Sequence, residues 1–350
     1  MTRSSFATEF IMRAVVVHEF TEYTNLEVED VPPPSTPGEG ELILDIHASG
    51  VSFATHLMVS GRYQRKPPLP FTPGAEVAGI VTVIGPGVSR FKPGDRVVAA
   101  LDWGGWAEQA LAKEVTCYPL PDGVKYAQAI GMVLSYATSY ASLLWKHGLQ
   151  LEADDTLLVH GAAGGVGIAA LEIGRIVEAT VIATVSTEEK AEIARAHGAN
   201  HVIVSREPDF RDEVMALTNG RGVDKVYDPV GGEHFMQSLR CMAAEGRIIP
   251  IGFACGTIPQ IPANLLLIKN LAVCGLNYGY YIGWSPYDAR YESEERLRSL
   301  MTQLFEWTLD GKMAPTVAGT FPLSQFKDAL GMVLARKAIG RVAILPQQID

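Results

Sequence analysis

The sequence is poor in the residues that build disulfide frameworks and cysteine-based metal clusters. It has four cysteines among 350 residues, and no two of them form a Cys-x-x-Cys pair; they are Cys117, Cys241, Cys255 and Cys274. This spacing argues against a disulfide scaffold and leaves a structural zinc cluster without a ligand set. Because unpaired cysteines are typical of a reducing compartment, we expect a cytoplasmic protein.

Long apolar runs and an excess of positive charge are also missing. No segment approaches the roughly 20 apolar residues that a membrane-spanning helix needs, and the N-terminal residues hold no apolar run of the kind found in signal peptides. The formal net charge is −10, which gives no electrostatic reason to bind nucleic acid or anionic lipid. We therefore expect no nucleic-acid and no membrane partner, but a small molecule or a second copy of the chain.

The patterns that are present predict two domains. A chain of 350 residues, 47% of them hydrophobic, is too long for one ordinary core and long enough for two. Residues 12–132 read as short strands separated by glycine and proline turns, which is typical of a partly open β-barrel. Residues 133–274 alternate strands with helices, which predicts βαβ units and a parallel sheet. Residues 1–11 precede the patterned region and are predicted to be an N-terminal extension.

The most informative segment is a glycine-rich turn between a strand and a helix. The apolar strand Thr156–His160 runs into Gly161–Gly167, which reads GAAGGVG and departs from the commonest G-x-G-x-x-G spacing. Glycines let the backbone approach a pyrophosphate, and the free N–H groups at the helix N-terminus hold it. The alternative is a glycine-rich connector without a ligand. The residues predicted to form the dinucleotide site are Gly161, Ala163, Gly164, Gly165 and Val166.

The identity of the dinucleotide depends on the end of the second strand. NAD sites carry an acidic residue there, about 20 residues beyond the glycines, whereas this chain has Thr184–Thr187 followed by Lys190. The hydroxyl of Ser186 and the ammonium group of Lys190 suit a 2′-phosphate, so we predict NADPH as the cofactor. Two alternatives stay open: Ser186 and Glu189 also fit a capping box, and Lys190 also fits a solvated helix position.

Taken together, these segments resemble a known family, the zinc-independent quinone oxidoreductases (zeta-crystallin-like) of the medium-chain dehydrogenase/reductase superfamily. The similarity spreads over nearly all of residues 12–346. Besides the glycine turn, the matching segments are Phe71–Glu76, Gly85–Val98, Asp228–Gly232, Gly246–Phe253 and Gly340–Pro346. Their combination in this order is specific for the family, though not for its substrate.

The resemblance implies a fold and an assembly. The implied fold class is α/β, with a partly open β-barrel (GroES-like) catalytic domain and a Rossmann domain that has a doubly wound parallel sheet. The expected boundaries are 12–132 and 275–350 for the catalytic domain and 133–274 for the NADPH-binding domain, with the active site in the cleft between them. The resemblance also implies a homodimer joined through the Rossmann sheets, and the apolar stretch Leu265–Val273 is expected to supply the edge strand.

The zinc-using members of the superfamily provide a comparison for the metal. They place a Cys or Asp, a His and a Cys at three positions, which align here with Ser52, Ala75 and Ser135. None of these is a good zinc ligand, and a catalytic zinc needs three protein ligands. We therefore expect no metal, and a substrate that accepts hydride without a Lewis acid to stabilise an alkoxide.

The resemblance also implies the groups that meet the nicotinamide and the substrate. Ser52 and Thr138 stand where the family contacts the nicotinamide end, although most relatives have Asn in place of Ser52. Tyr63 stands where related enoyl-thioester reductases use a tyrosine, and a phenol can protonate an enolate after hydride arrival. The alternative for Tyr63 is a half-buried aromatic residue that lines the cleft.

Further cofactor contacts are implied at four loops. After the third strand, Ser205-Arg206 replaces a tyrosine that often stacks near the adenosine, and Arg206 is predicted to be a cation for the 2′-phosphate or else a solvated loop arginine. The other residues implied to contact the cofactor are Gly252, Phe253, Asn277, Tyr278 and Arg336.

The predicted function is NADPH-dependent reduction of a quinone or a related conjugated carbonyl by hydride transfer without zinc. The same hydride step would serve a 2-enoyl-CoA or enone reductase, which is the first alternative. The second alternative is a non-catalytic NADPH-binding protein. Lens-type relatives of that kind also bind RNA, and the negative net charge argues against RNA here.

Overall fold

The computed structural model describes residues 11–348, and within them the chain divides into two compact units. The first unit comprises the described residues up to Val133, then Gly279–Arg298 and the chain from Val317 onward. The second unit comprises Leu134–Tyr278 and Ser299–Thr316. The N-terminal extension predicted over residues 1–11 lies outside the described residues except for Ile11. The boundaries expected from the sequence assigned the whole of 275–350 to the catalytic domain.

The first unit is built mainly from antiparallel strands. Its strands before the second unit are β1 (Met12–Val15), β2 (Val28–Val31), β3 (Glu41–Val51), β4 (Glu76–Ile84), β5 (Arg96–Ala100), β6 (Gln109–Lys113) and β7 (Cys117–Pro119). Two short helices accompany them, α1 (Phe53–Val59) and α2 (Tyr126–Ala129). The long strand β3 pairs with both β4 and β6, so it lies at the centre of the sheet.

The second unit alternates helices and strands. Its elements are α3 (Ala137–Leu144), β8 (Thr156–Val159), α4 (Gly165–Ile176), β9 (Thr180–Val185), α5 (Glu188–Ala196), β10 (His201–Val204), α6 (Arg211–Leu217), β11 (Val223–Asp228), α7 (Gly232–Cys241), β12 (Met242–Pro250), α8 (Ala263–Lys269) and β13 (Ala272–Val273). The six strands form one parallel sheet in the order β10-β9-β8-β11-β12-β13. This is the doubly wound order of a Rossmann fold, whose switch point lies between β8 and β11.

Buried apolar strands explain why the second unit folds in this way. All four residues of β8 are buried, and five of the six residues of β9 are buried. Strands that helices cover on both faces read as continuous apolar runs, which is the pattern found here. Leu158, Ile182, Val226 and Ile248 contribute side chains to a core that also takes in Phe235 from α7.

The chain returns to the first unit near its C-terminus. The remaining elements are α9 (Tyr278–Tyr281), α10 (Glu294–Leu309), β14 (Val317–Pro322), α11 (Phe326–Leu334) and β15 (Arg341–Leu345). β15 lies between β14, to which it is parallel, and β3, to which it is antiparallel, and so completes a seven-stranded sheet. In the core beneath this sheet, Trp106 packs against Phe326 of α11 at 5.9 Å between ring centroids. The predicted α/β fold class is confirmed.

One element differs from its prediction. The stretch Leu265–Val273 was expected to be an edge strand, but Leu265–Lys269 belongs to α8 and only Ala272–Val273 forms the edge strand β13. The prediction was wrong for the helical part. A short apolar run is compatible with a strand or a helix, and leucine and lysine are both good helix formers. Asn270, in the left-handed region at φ 55°, ends the helix and turns the chain into β13.

Candidate active site

The glycine turn lies at the switch point of the parallel sheet. β8 ends at Val159 and lies between β9 and β11 in the sheet. Tyr227 of β11 is in register with Val159. Ligands of doubly wound folds bind at the carboxyl ends of the strands at this point. Gly161 takes up φ 56°, a left-handed conformation that glycine adopts without strain, and this turns the chain from β8 toward α4.

The start of α4 has the geometry of a pyrophosphate cradle. Gly164 is its N-cap residue and provides no side-chain hydrogen bond to the helix. The first N–H groups of a helix lack intrahelical acceptors and carry partial positive charge, so this end suits an anion. A Cβ on Gly167 would lie 2.4 Å from the Gly161 carbonyl oxygen, so the helix packs against the turn at a distance that only glycine permits. These residues fit a dinucleotide diphosphate.

Two cationic side chains and a serine hydroxyl lie close together near the end of β9, where the 2′-phosphate was predicted to bind. The Lys190 Nζ donates to Ser186 Oγ at 3.4 Å, and the Arg206 Nε donates to the Ser186 carbonyl oxygen at 3.4 Å. The structure therefore brings Ser186 and Arg206, on the loops after β9 and β10, together with Lys190 in the first turn of α5. Glu188, two residues beyond Ser186, pairs with Arg195 at 2.9 Å.

The capping interpretation of Ser186 is wrong, because the N-cap of α5 is Thr187. The Thr187 side chain accepts the Lys190 backbone N–H at 3.3 Å. Ser186 precedes the cap and so keeps its hydroxyl at the Lys190 ammonium group. Ser205, in contrast, is engaged within its own loop. Its hydroxyl donates to Asp209 at 2.5 Å and accepts the Glu207 N–H at 3.1 Å.

A second turn at the same edge of the sheet follows β11. Asp228 Oδ1 accepts the N–H groups of Val230 at 2.8 Å and Gly231 at 3.0 Å, which fixes the Asp228–Gly232 turn. Burial raises the pKa of the Asp228 carboxyl to about 6, against the opposing effect of these hydrogen bonds. Gly231, at φ 76°, has no room for a side chain, because a Cβ would lie 2.8 Å from the Phe253 ring. The predicted residues Gly252 and Phe253 thus pack on this turn, and the Phe253 side chain is partly exposed.

Sequence reasoning missed His160, the residue between β8 and the turn. It is fully buried, with Nδ1 2.8 Å from Thr184 Oγ1 and Nε2 2.7 Å from Ser238 Oγ. Burial, helped by the charge of His234, lowers the pKa of His160 to about 3. The neutral ring therefore ties the ends of β8 and β9 to α7 beneath the turn. A lone histidine between an apolar strand and a glycine turn was the available signal.

Thr138 lies on α3, which is fastened to the start of α4. The neighbouring Ser139 hydroxyl contacts the Val166 carbonyl oxygen at 2.9 Å and Tyr227 Oη at 2.8 Å. Thr138 itself is half-buried. In the same unit, Asn277 is exposed and Tyr278 is buried just after β13.

The other predicted catalytic residues belong to the first unit. Ser52 is the N-cap of α1, where its Oγ accepts the Thr55 N–H at 3.3 Å and lies 3.1 Å from Thr55 Oγ1. Tyr63 follows α1 and packs its half-buried ring against the core of this unit. Burial raises the pKa of the Tyr63 phenol, and the charge of Arg65 partly opposes the rise. Arg336 is exposed beyond α11 at φ 57°.

The positions aligned with zinc ligands hold a half-buried Ser52, a half-buried Ala75 and a buried Ser135. Across residues 11–348 no three His, Cys, Asp or Glu side chains form a group able to hold a metal ion. The acid beside Ala75, Glu76, is instead paired with Arg341. No helix in the described part of the chain has the length and apolar character to cross a membrane.

Comparison with known proteins adds the family context. Residues 38–122 match the alcohol dehydrogenase GroES-like domain, and residues 165–293 match the zinc-binding dehydrogenase family. The chain is 35% identical to the quinone oxidoreductase-like protein 2 homolog of Nematostella vectensis, over 96% of this chain and 89% of that protein. It is 31% identical to the quinone oxidoreductase of Rattus norvegicus, over 91% of this chain and 93% of that protein.

A solved structure shows the same similarity. The Escherichia coli quinone oxidoreductase complexed with NADPH superimposes with a TM-score of 0.86 at 30% sequence identity. The match covers 95% of this chain and 100% of that one. The likeness therefore extends over both units and is not confined to the glycine turn.

Proposed function

Because the chain belongs to the quinone oxidoreductase family of the medium-chain dehydrogenase/reductase superfamily, we propose that it uses NADPH to reduce a quinone or a related conjugated carbonyl, without zinc. The observation that carries this proposal is the N-terminus of α4, whose N-cap Gly164 makes no side-chain hydrogen bond to the helix, together with the hydroxyl and two cations at Ser186, Lys190 and Arg206. A diphosphate suits the first feature and a 2′-phosphate suits the second. The second unit would therefore hold the cofactor.

Bound NADPH supplies a hydride from its nicotinamide ring. A quinone or enone spreads the arriving charge onto its own oxygen, so the protein is left with positioning, water exclusion and proton supply. We assign positioning of the nicotinamide end to Ser52 and Thr138, and to the loops that carry Phe253, Asn277, Tyr278 and Arg336. We assign proton supply to Tyr63, because a phenol is protonated at neutral pH and burial raises the pKa of this one further.

A zinc-free reaction follows from the residue types at the three aligned positions. Alanine has no ligand atom, and serine hydroxyls are poor zinc ligands, so Ser52, Ala75 and Ser135 do not make a zinc site. The reaction then favours a substrate that carries its own electron sink over a simple alcohol or ketone. Metal analysis of active protein tests this point, and stoichiometric zinc that is required for turnover would overturn it.

Reduction of a 2-enoyl-CoA or another enone is the second candidate, and Tyr63 is the observation that favours it. An enolate formed by hydride addition needs a proton at carbon, and a half-buried phenol beside the positive charge of Arg65 can provide one. A hydroquinone anion takes its proton from water at oxygen and gains less from such a donor.

The test is a panel of acceptors with both nicotinamide nucleotides. NADPH and NADH oxidation would be followed against a benzoquinone, a simple enone and crotonyl-CoA. We expect turnover with NADPH, and the ratios of kcat/KM decide between quinone and enone. Binding of NADPH in calorimetry without turnover of any acceptor would support the non-catalytic alternative. Absence of NADPH binding to well-folded protein would remove the proposal's basis.

Replacing Lys190 tests the choice of dinucleotide. The ammonium group at Ser186 Oγ is proposed to meet the 2′-phosphate, so Lys190→Ala should weaken NADPH binding about tenfold. NADH binding should change less than twofold, because NADH has a hydroxyl in that place. Lys92→Ala, at an exposed lysine of the first unit, is the matched control. Equal losses for both nucleotides would refute the assignment.

We also propose a homodimer and a cytoplasmic location. β13 is the edge strand of the parallel sheet, and Leu267 and Ile268 of the adjoining α8 are 79% and 74% exposed. Exposed leucine and isoleucine beside an unpaired strand edge favour burial against a second copy.

The four unpaired cysteines support a reducing compartment. Cell fractionation tests the location, and recovery of the protein with secreted or vesicle contents would contradict it.

A further inference from the structure

A cluster of charged and aromatic side chains in the first unit joins three separate loops. Asp102, in the loop after β5, accepts Arg65 Nη2 at 2.8 Å and Arg290 Nη2 at 3.0 Å on the same carboxylate oxygen. The Arg65 Nη1 also donates to the Asp102 carbonyl oxygen at 3.2 Å. We call Asp102, Arg65, Arg290, Trp103 and Trp284 the Asp102 clamp.

Two indole rings complete the clamp around Arg65. Its guanidinium carbon lies 5.2 Å from the centroid of Trp103 and 5.8 Å from that of Trp284, within the range of cation–π attraction. The Trp284 indole N–H donates to the Leu101 carbonyl oxygen at 3.1 Å, which fixes the second ring to the loop after β5. Arg65 is thus held in position by an ion pair and by two rings at once.

The clamp charges are largely removed from water. The side chains of Arg65 and Arg290 are 19% and 4% exposed, and that of Asp102 is 24% exposed. Burial by itself raises the pKa of Asp102, but the charges and hydrogen bonds of Arg290 and Arg65 outweigh it and hold the pKa below its usual value. Asp102 therefore stays ionised, and its removal would leave two cations close together without their shared anion.

The first loop that the clamp fixes carries Tyr63. Gly61 comes just after α1 at φ 68°, with the Phe20 ring so close that a Cβ would lie 2.9 Å from it. The Tyr63 N–H donates to the Leu57 carbonyl oxygen at 2.9 Å. Tyr63 therefore has a backbone anchor on its N-terminal side, while Arg65 is the anchor on its C-terminal side.

The second loop that the clamp fixes runs from Gly283 to Arg290. Arg290 donates to Asp102, to the Gly283 carbonyl oxygen at 3.2 Å and to Asp288 at 2.8 Å. This loop continues from α9, whose Tyr280 and Tyr281 rings lie 5.3 Å apart. The Asp102 carboxylate thus holds both the loop that carries Tyr63 and the loop from Gly283 to Arg290.

The clamp borders a cavity that does not include the proposed proton donor. Asp102, Trp103 and Arg290 line this cavity of about 490 Å³ in the first unit. Among the described residues that line it, neither Ser52 nor Tyr63 is found. The connection from Asp102 to Tyr63 therefore runs through Arg65 and the loop that carries both Arg65 and Tyr63.

We propose that Asp102 is a positioning residue for acceptor reduction, because it holds Arg65 and Arg290 and thereby sets the loop that places Tyr63. The expected effect on acceptor turnover rests on the proposed function. The expected effect on the mobility of the two loops rests on the loop geometry alone. In this proposal Asp102 acts on acceptor reduction through the loops that it holds and not by contact with the acceptor.

The experiment compares Asp102→Asn with Asp122→Asn in the full chain. Asp122 is a fully exposed aspartate of the same unit whose ion pair with Arg96 is long, at 3.4 Å, so it is a matched control. We expect Asp102→Asn to lower kcat/KM for the acceptor about tenfold and to leave NADPH affinity within about twofold. Backbone amide exchange should accelerate in residues 61–66 and 283–290. Asp122→Asn should match the unchanged protein in all three measurements.

Two further variants keep the test decisive. Asp102→Glu retains the charge and should restore most of the acceptor kcat/KM, whereas a merely space-filling role would not favour Glu over Asn. If Asp102→Asn does not fold, Arg65→Lys replaces it, since lysine keeps the charge but loses the paired hydrogen bonds and the flat stacking on the rings. That variant should show faster amide exchange in residues 61–66 alone.

The outcomes separate this proposal from the proposed function. Unchanged amide exchange in both loops would overturn the clamp, whatever the kinetics. Equal losses of acceptor turnover and NADPH affinity would also overturn it, because they would indicate a general structural role. If the unchanged protein reduces no acceptor, the proposed function fails, while amide exchange in Asp102→Asn still decides whether Asp102 holds the loops.

Discussion

His160 lies between the last residue of β8 and Gly161, with both ring nitrogens in hydrogen bonds. A protonated ring would have to donate from both nitrogens inside a fully buried site, and burial opposes the charge. The turn that is proposed to hold the diphosphate is therefore supported by a residue that must stay neutral. This couples the stability of the second unit to pH.

We expect the His160 contribution to stability to fall as the pH drops below 6.5. The folded-state pKa of His160 is about 3, whereas an unfolded histidine titrates at its ordinary 6.5, so the unfolded chain binds more protons between these values. The His160 contribution falls by about 1.4 kcal/mol for each pH unit in that window. Denaturant unfolding at pH 7.5 and pH 5 measures it.

The comparison needs variants, because Asp228 acts in the opposite direction. Its pKa is raised to about 6 by burial, so its contribution is present at low pH and is lost as the pH rises toward 6. His160→Gln should remove the His160 share of the pH dependence, and His18→Gln, at an exposed histidine, should not. An unchanged pH dependence in His160→Gln would contradict the assignment.

Tyr63→Phe is the variant that tests the proton donor. The phenol is protonated at neutral pH and is the proposed donor, so its removal should lower kcat for enone reduction by about a hundredfold. Quinone reduction should change less than threefold, since the product oxygens take protons from water. Tyr291→Phe, at a 64% exposed tyrosine, is the control. Equal effects on both acceptors would remove Tyr63 from proton transfer.

The sequence predicted some of the contacts near the proposed cofactor site and missed others. Lys190 and Ser186 were proposed to act together because an absent acid and a nearby cation are visible in the chain, and their side chains do meet, at 3.4 Å. The N-cap was placed one residue early, since Ser186 and Thr187 are both good caps and only the end of β9 decides between them. The long-range contacts of His160 and Asp102 have no local sequence signature.

The element that matters most is the turn from β8 into α4, and Gly167→Ala tests its packing. A Cβ there would lie 2.4 Å from the Gly161 carbonyl oxygen and 2.7 Å from the Ala162 Cα, both backbone atoms that cannot move alone. We expect the free energy of unfolding to fall by about 1–3 kcal/mol. NADPH binding, measured by calorimetry, should weaken at least tenfold because the helix start shifts.

Gly275→Ala is the matched control for the turn. Nothing lies within 4 Å of the position that its Cβ would take, and its backbone is outside the left-handed region. Stability and NADPH affinity should stay close to those of the unchanged protein. An equal loss in the two variants would show that the close approach at Gly167 is not the cause.

Elements with one strong local signal were predicted well. The strand predicted over Thr156–His160 is β8, Thr156–Val159, because a buried apolar run is legible in a short window. α8 was misassigned because its leucines suit either state and its apolar face is exposed in the single chain. β12 begins at Met242, which pairs with Val223 of β11 before a register shift, and no local pattern marks such a pairing.

For the whole molecule, the exposed apolar face of α8 predicts the assembly. Leu267→Asp should convert a dimer into a monomer in light scattering, because a buried carboxylate would lack a partner at the interface. Leu309→Asp, at a 57% exposed leucine of α10, is the control and should stay dimeric. A wild-type protein that is monomeric at all concentrations would refute the homodimer.

The assignment of residues 299–316 shows where sequence reasoning stops. This segment holds most of α10 and the chain up to β14, and nothing local shows that it packs with the second unit and not with the first. Its place in the second unit comes from distant contacts: the Ala314 N–H donates to Glu172 at 3.0 Å, and the rings of Trp307 and Tyr140 lie 5.6 Å apart. Contacts between positions so far apart in the chain leave no period or spacing to detect.

The position of β15 has a consequence for how the chain is made. β3 and β4 are synthesised early, but the part of β3 that pairs with β15 has no partner until β15 has been synthesised. The buried Glu76 likewise has no ion-pair partner until Arg341, 265 positions later, has been added to the chain. The parallel sheet, by contrast, has all its strands as soon as β13 has emerged. For most of translation, therefore, the antiparallel sheet of the nascent chain lacks β15 and has unpaired backbone groups along β3. Only the last strand completes the sheet.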